Sequence, residues 1–282
     1  MCIRDRLEGT RPGTRLTAVA GRTGEVDKPP APFEPAPWKD PGGNTLFPLD
    51  LPDMMVEPGV FVPTQGSLLV WKHLFREGIG RHQRCLDIGC GTGLQTVQLA
   101  RNGAAHVHGI DIDEAAVANT LSNAFRNGVP DRVSAAVVDL FPWVPEERYD
   151  LIVASLYQMP VDPFEQVSTH RPLDYWGRNL IDHLISLLPQ ALADDGVAYI
   201  MQLSIIGQKR TAEKLEEVGF QARVLDFTFF EFHDLFREKA DQIQRVEQLS
   251  DAYHLTLGNS DMMVAYLLEV TRQRTESETA ER

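Results

Sequence analysis

The sequence predicts an α/β fold, a mostly parallel sheet with helices on both faces, on three observations. Short apolar runs alternate with longer stretches of helical periodicity from about residue 84 to residue 270. Several runs are continuously apolar, as strands covered on both faces require. The first run, 84–88, feeds through Gly89-Cys90-Gly91-Thr92-Gly93 into a helical stretch, a strand–turn–helix opening.

The elements follow in order. Residues 1–45 carry the tract Pro29-Pro30-Ala31-Pro32-Phe33-Glu34-Pro35-Ala36-Pro37, which cannot join a ladder, and are expected to form a disordered tail. Its opening, Met1-Cys2-Ile3-Arg4-Asp5-Arg6, resembles a translated sequencing adapter and carries no functional weight. Residues 46–80 are expected to be a lead-in element: Pro58 and Pro63 punctuate extended segments, and Leu68, Leu69, Trp71, Leu74 and Phe75 then fall at helical spacing. A single domain is expected over 81–271. Its strands are placed at 84–88, 105–110, 133–138, 150–154, 196–203, 221–227 and 262–270. Its helices are placed at 94–102, at 114–127 (stopped by Gly128 and Pro130), at 176–192, at 208–218 and at 232–249. Residues 272–282 are a charged tail.

Composition narrows the function. With 43% hydrophobic and 24% charged residues over 282 positions, the chain has the balance of a globular protein. A formal net charge of −13 disfavours nucleic acid as partner, since phosphate contacts need a basic face. Three cysteines (Cys2, Cys85, Cys90), two of them in the expected core, fit a reducing compartment rather than a disulfide framework. No apolar run approaches the ~18–20 residues that span a bilayer, and the N-terminus lacks the apolar stretch of a signal peptide. A cytoplasmic location is expected. Oligomeric state is not encoded in any of these features.

Ligands of open α/β sheets lie at the carboxyl ends of the strands, so the strand ends define one site. Glycines at 89, 91 and 93 let the main chain turn tightly and leave room for a ligand against it, and the turn ends where unpaired helix N–H groups point outward. Asp87, just before the turn, offers a negative charge to a cationic ligand group. Dinucleotide sites read G-x-G-x-x-G, whereas here the spacing is Gly89-x-Gly91-x-Gly93 followed by Leu94. The closer spacing and Asp87 favour S-adenosyl-L-methionine over a nicotinamide cofactor. Asp111 ends the second strand, 111 − 89 = 22 residues after the first glycine, where a carboxylate accepts from both ribose hydroxyls. Asp113 reads as the N-cap of the next helix. Asp139, after the third strand, can accept from an adenine amino group while the backbone of Leu140 beside it reads the ring edge; the alternative reading is a solvated loop aspartate.

Together these residues resemble the class I S-adenosylmethionine-dependent methyltransferases over about residues 60–270. The resemblance rests on Asp87-x-Gly89-x-Gly91-x-Gly93, Gly109-Ile110-Asp111, Val138-Asp139-Leu140 and Asp150-Leu151-Ile152-Val153-Ala154. It implies a Rossmann-like seven-stranded sheet with an antiparallel last strand, and methyl transfer to a nitrogen or oxygen of a protein side chain or small molecule. It implies that Asp87, Gly89, Cys90, Gly91 and Gly93 hold the methionine part, Asp111 and Ile112 the ribose region, and Asp139 and Leu140 the adenine. The order of parts is most similar to the release-factor glutamine and ribosomal-protein methyltransferase branch, where Pro58-Gly59-Val60-Phe61-Val62-Pro63 has the place of a segment closing over the cofactor. That branch carries Asn-Pro-Pro-Tyr after the fourth strand, and this chain has Ala154-Ser155-Leu156-Tyr157-Gln158-Met159-Pro160.

Ser155, Tyr157 and Gln158 are the candidate catalytic residues, with His170 and Asp174 in the following loop as further candidates. Tyr175 and Trp176 read as packing. His106 and His108 share a strand face, but no third ligand is placed near them and no metal is expected. The stretch Phe227-Thr228-Phe229-Phe230-Glu231-Phe232-His233 could line a substrate pocket or a partner face and is assigned to packing at the sheet edge, and 232–249 to an amphipathic cover or substrate-selecting insertion. The competing readings are a non-catalytic cofactor-binding or assembly protein, motivated by the altered Asn-Pro-Pro-Tyr position, and an NAD-dependent oxidoreductase, for which no tyrosine–lysine pair is evident.

Overall fold

The computed structural model describes residues 50–162 and 174–273, preceded by the backbone of three short strands, β1 (Thr14–Leu16), β2 (Trp38–Lys39) and β3 (Thr45–Leu46). The remaining residues expected to form an N-terminal tail, and the charged tail beyond 273, lie outside the described residues. Composition offered no strand before residue 46. β1 forms by pairing antiparallel with β4 (Met54–Val56), a partner far along the chain that local composition does not reveal.

The helix α1 (Gln65–Glu77) buries Leu69, Val70, Trp71 and Leu74 on one face and is capped by Thr64 and Ser67 in a reciprocal box. Strands and helices then alternate: β5 (Arg84–Ile88), α2 (Leu94–Arg101), β6 (His106–Asp111), α3 (Glu114–Arg126), β7 (Val133–Val137) and β8 (Tyr149–Ala154). The chain continues with α4 (Asn179–Ala191), β9 (Leu192–Leu203), α5 (Lys209–Glu217), β10 (Phe220–Glu231), α6 (Asp234–Glu238), α7 (Ala240–Leu249), β11 (Leu255–Leu257) and β12 (Ser260–Arg272).

The sheet runs β10–β12–β9–β8–β5–β6–β7, seven strands as expected. Pairs from β7 to β9 are parallel, and β12 is antiparallel to both β9 and β10. An unforeseen eighth strand, β11, turns through Gly258 (φ +61°) and pairs with the start of β12 as a hairpin. From β5 the chain first builds outward through β6 and β7, then returns to the other side of β5 with β8. The crevice of this α/β sheet therefore lies at the carboxyl ends of β5, β6 and β8.

Two expected helices are shorter than their apolar periodicity. The one placed at 176–192 starts at Asn179, because Gly177 (φ +70°) and the Asp174 carboxylate close a turn ahead of it; Asp174 accepts from Trp176 N (3.1 Å) and Asn179 N (2.5 Å). The one placed at 232–249 splits at Lys239. Its first residue remains extended, held by Phe232 N donating to Asp261 O (2.9 Å), because β10 continues in register with β12 to Glu231. Among the described residues, no helix is long and apolar enough to cross a membrane.

One local device governs how the lead-in meets the sheet. Three asparagines at i, i+4 and i+8 on one side of α3 and its end face alternate residues at and beside β4. Asn127, Asn123 and Asn119 accept from the amides of Asp53 (2.9 Å), Met55 (2.8 Å) and Glu57 (3.1 Å) through their Oδ1 atoms. Their Nδ2 groups donate back to Asp53 O (2.9 Å) and, twice, to Met55 O (2.9 and 2.7 Å). Four helical residues rise about 6.0 Å and two strand residues about 6.6 Å, so the two repeats stay in step for this length. The carboxamides thus give the strand edge the hydrogen bonds that another strand would supply. Asn123 also donates to Thr92 O (2.9 Å), which joins the lead-in to the glycine turn. Asn123→Ala takes the side-chain partner from Met55 N and Thr92 O and one of two from Met55 O, and is expected to lower unfolding stability by about 2–4 kcal/mol in a urea titration; a loss below about 0.5 kcal/mol contradicts this account.

Candidate active site

The turn after β5 places all three glycines in the left-handed region: Gly89 at φ +75°, Gly91 at +54° and Gly93 at +79°. Gly89 N and Cys90 N both donate to Ile110 O (2.8 and 3.0 Å), which ties the turn to the end of β6. A Cβ on Gly93 would lie 3.0 Å from Thr120 Cα, and one on Gly89 would lie 3.2 Å from Leu156 Cδ2. At Gly91 a Cβ meets only Gly89 O, at 3.9 Å. The turn is packed tightly on its outer sides and open where Gly91 faces the crevice.

That crevice is a cavity of about 480 Å³. Gly89, Gly91, Asp111, Ile112, Asp139 and Leu140 line one half, and Gly59 and Phe61 of the lead-in reach over it. Asp111 accepts from Gly91 N through Oδ2 (2.9 Å) and from Asp113 N through Oδ1 (3.0 Å). Asp113 caps α3 by accepting from Ala115 N (2.9 Å). Ile112 is 63% exposed, an apolar side chain left at the rim. Across from it, Asp139 accepts from Phe141 N (3.1 Å), Leu140 is buried, and His183 Nε2 lies 2.9 Å from Leu140 O.

Three residues expected at the ligand stand behind the turn, outside the cavity lining. Gly93 is the N-cap of α2 and packs on Thr120. The Asp87 carboxylate, buried, accepts from Thr96 N (3.0 Å) and Thr96 Oγ1 (2.6 Å) in the first turn of α2. Burial pushes its pKa from 3.8 up to about 6, against the lowering effect of those bonds. Cys90 projects onto Gly109 and accepts from Thr120 Oγ1 (3.3 Å), and burial holds its thiol well above the ordinary range. Neither side chain lines the cavity, because each is engaged in fastening the turn to its neighbours.

Ser155, Leu156, Tyr157 and Gln158, after β8, line the other half. Tyr157 is partly buried against the core. Gln158 differs from its expected role. Its Nε2 donates to Met201 O (2.7 Å) and Leu156 O (3.4 Å), and its Oε1 accepts from Leu203 N (2.8 Å). A side chain so engaged braces the loop against β9 and has no N–H left for a substrate. Asp174 is likewise committed to the turn before α4, with burial raising its pKa, and does not line the cavity. Tyr175 and Trp176 pack edge to face at 5.1 Å and also stay off the lining. His170 lies outside the described residues. His106 and His108 meet at the Ser134 hydroxyl (2.7 and 2.8 Å), and no group of three or more metal-ligating side chains occurs among the described residues.

Four lining residues were assigned elsewhere by the sequence reading: Phe230, His233, Leu235 and Phe236, at and beyond the carboxyl end of β10. The signal that finds them is positional. β10 runs parallel to β5, so its end opens on the same rim.

Comparison with known proteins agrees with this geometry. Residues 59–170 match a family model described as ribosomal protein L11 methyltransferase (PrmA). A protein of Methanocaldococcus jannaschii described as a protein N5-glutamine methyltransferase is 31% identical over 175 residues, 61% of this chain and 86% of that protein. The ribosomal protein L11 methyltransferase of Dechloromonas aromatica is 34% identical over 114 residues, 39% of this chain and 36% of that one. This chain thus spans well under half of the L11 methyltransferase it matches. The fold is shared with the solved YcgJ protein of Bacillus subtilis at a TM-score of 0.50 and 13% identity, over 74% of this chain and 100% of that one.

Two measurements check the assignments behind the cavity. Because the folded pKa of Asp87 is raised, folding favours its protonated form. That stability is fully present below pH 3.8 and is lost as pH rises to about 6. Asp87→Asn is expected to remove this falling limb from a plot of unfolding free energy against pH; a limb identical to wild type assigns it to another group. Gln158→Ala is expected to cost about 2–4 kcal/mol of stability by denaturant titration, since it strips partners from the buried Met201 O and Leu203 N, and an unchanged midpoint speaks against the brace.

Proposed function

This chain belongs to the class I S-adenosylmethionine-dependent methyltransferases, and we propose that it methylates a nitrogen or oxygen atom of a protein side chain. The donor supplies an already activated methyl group on a sulfonium sulfur. The protein's tasks are to bind that donor, align the acceptor and exclude water.

The residues on the open side of the turn fit such a donor. The uncrowded face of Gly91 admits a ligand against the main chain, and a Cβ on Gly89 would already crowd Leu156. In this reading the Gly89–Gly91 backbone receives the amino-acid end, and Asp111 accepts from the ribose hydroxyls by exchanging its bond to Gly91 N. Ile112 and Leu140 flank the adenine, and Asp139 accepts from its amino group. Asp87, Cys90 and Gly93 act one layer back, by fixing the turn. Of the three residues expected at the acceptor side, Ser155 and Tyr157 are left once Gln158 is committed to its brace.

A protein acceptor is favoured because both relatives described above are described by their protein substrates. Recognition of a glutamine amide through Asn-Pro-Pro-Tyr is not favoured, because Ala154-Ser155-Leu156-Tyr157 stands in that place. The single observation that carries the proposal is the Asp111 carboxylate on the cavity wall beside the open glycine.

Asp111→Ala is expected to weaken S-adenosylhomocysteine binding by about 1–3 kcal/mol in calorimetry while the fold persists. Equal affinity moves the ribose site elsewhere. Methyl-labelled donor incubated with a cell extract is expected to leave label in the protein fraction, and label confined to small molecules overturns the choice of acceptor.

A further inference from the structure

The far wall of the cavity holds a titratable side chain with no task in the reading above. β10 lies four places from β5 in the sheet order, and the segment beyond it closes the acceptor half. There the His233 imidazole stands edge-on between Phe230 and Phe236, at 5.8 and 4.7 Å with interplanar angles of 77° and 66°. All three line the cavity. The backbone on either side is fixed: Phe232 N donates to Asp261 O, and His233 O accepts from Phe236 N (2.9 Å) and Arg237 N (3.1 Å).

Among the described residues, the charged side chains near it are engaged with one another. Glu231 and Asp234 each lie 3.8 Å from Arg237, and His254, beside Phe232, lies 2.7 Å from Glu247 and 3.9 Å from Asp261. None of these groups lines the cavity. The lining carboxylates, Asp111, Asp113 and Asp139, belong to the nucleotide half, which leaves Tyr157 and His233 as the ionisable side chains of the acceptor half among the described residues. A phenol keeps its proton near neutral pH, whereas a neutral imidazole accepts one there.

Resting on the methyl-transfer reading, we infer that His233 is the proton acceptor for an uncharged acceptor group, one that still carries hydrogen on the oxygen or nitrogen to be methylated. Met201, Leu203, Leu235 and the two phenylalanines make that half apolar, so a cationic acceptor would lose its hydration without a partner. A hydroxyl or carboxamide enters readily but is a weak nucleophile until its proton has a destination. The balance is simple. The acceptor lone pair forms the bond to the methyl carbon, the carbon–sulfur pair returns to sulfur to leave a neutral thioether, and the acceptor proton passes to an imidazole nitrogen and then to water.

The test uses the full chain with S-adenosylmethionine carrying a ¹³C methyl group. With contacts of roughly 3 Å on either side of the reacting atom, the methyl should lie within about 6 Å of the imidazole. A nuclear Overhauser effect from the methyl to the His233 ring is therefore expected. In parallel, His233→Gln should bind S-adenosylhomocysteine as wild type does, yet transfer label to extract protein at least about 100-fold more slowly at neutral pH. Added imidazole should restore part of the rate to His233→Ala. An effect to Tyr157 with none to His233, or wild-type transfer by His233→Gln, overturns the inference while leaving methyl transfer standing. Failure of the wild type to bind S-adenosylhomocysteine brings down both. The Overhauser measurement needs no variant and decides the matter if the substitutions fail to fold.

Discussion

The structure depends on one grip: the turn between β5 and α2 is held in a left-handed path by polar side chains reaching it from three elements. Three consecutive alternate residues with positive φ are not a conformation the chain keeps by itself. Asp87 holds the α2 side by its two bonds to Thr96, and Asp111 holds Gly91 N from the end of β6. From α3, Thr120 donates to Gly91 O (3.0 Å) and Asn123 to Thr92 O. Only glycine lets the backbone come this close to Thr120, and only a buried acceptor bonded twice at a helix N-terminus makes the Asp87 site tolerable for a carboxylate. The open face of Gly91 is what remains once every other side of the turn is occupied.

The same helix that grips the turn also grips the lead-in. Asn119, Asn123 and Asn127 read β4 as a neighbouring strand would, and Asn123 belongs to both sets of contacts. Gly59 and Phe61, which follow β4, are thereby placed over the cavity by the element that positions its floor. Roof and floor are referenced to one rigid helix, so an error in either is an error in the position of α3.

What the sequence made legible follows from how local the cause is. The strand–glycine–helix passage, the carboxylates at 111 and 139 and the cap at 113 each depend on a few consecutive residues, and their places could be read from spacing. The direction of the Asp87 and Cys90 side chains could not. Both flank glycines of the turn, and only the approach of Thr96 and Thr120 shows that they face inward. Gln158 read as a polar residue at a strand end, and its brace depends on Met201 and Leu203, more than forty positions away. The helix expected over 232–249 has suitable periodicity, but β10 pairs with β12 up to Glu231 and Phe232 N still donates to Asp261 O, so the helix starts only at Asp234. The aromatic run at 227–233 divides for the same reason: Phe227 and Phe229 are exposed on the edge strand, while Phe230 and His233 turn into the cavity.

The two halves of the cavity therefore have different origins. The half lined by Gly89, Asp111 and Asp139, which the proposed function gives to the nucleotide, is assembled from the ends of adjacent parallel strands, where one motif per strand suffices and the fold itself supplies the alignment. The acceptor half draws on the loop after β8, the end of β9, the segment beyond β10 and Phe61 of the lead-in, parts brought together only by the complete sheet. With Gln158 serving as the loop's internal brace, the polar side chains of that half among the described residues are Ser155, Tyr157 and His233, with Thr64 and Ser67 also on the cavity wall, in a largely apolar surround. A pocket of that kind discriminates by shape and by a few hydrogen bonds rather than by charge.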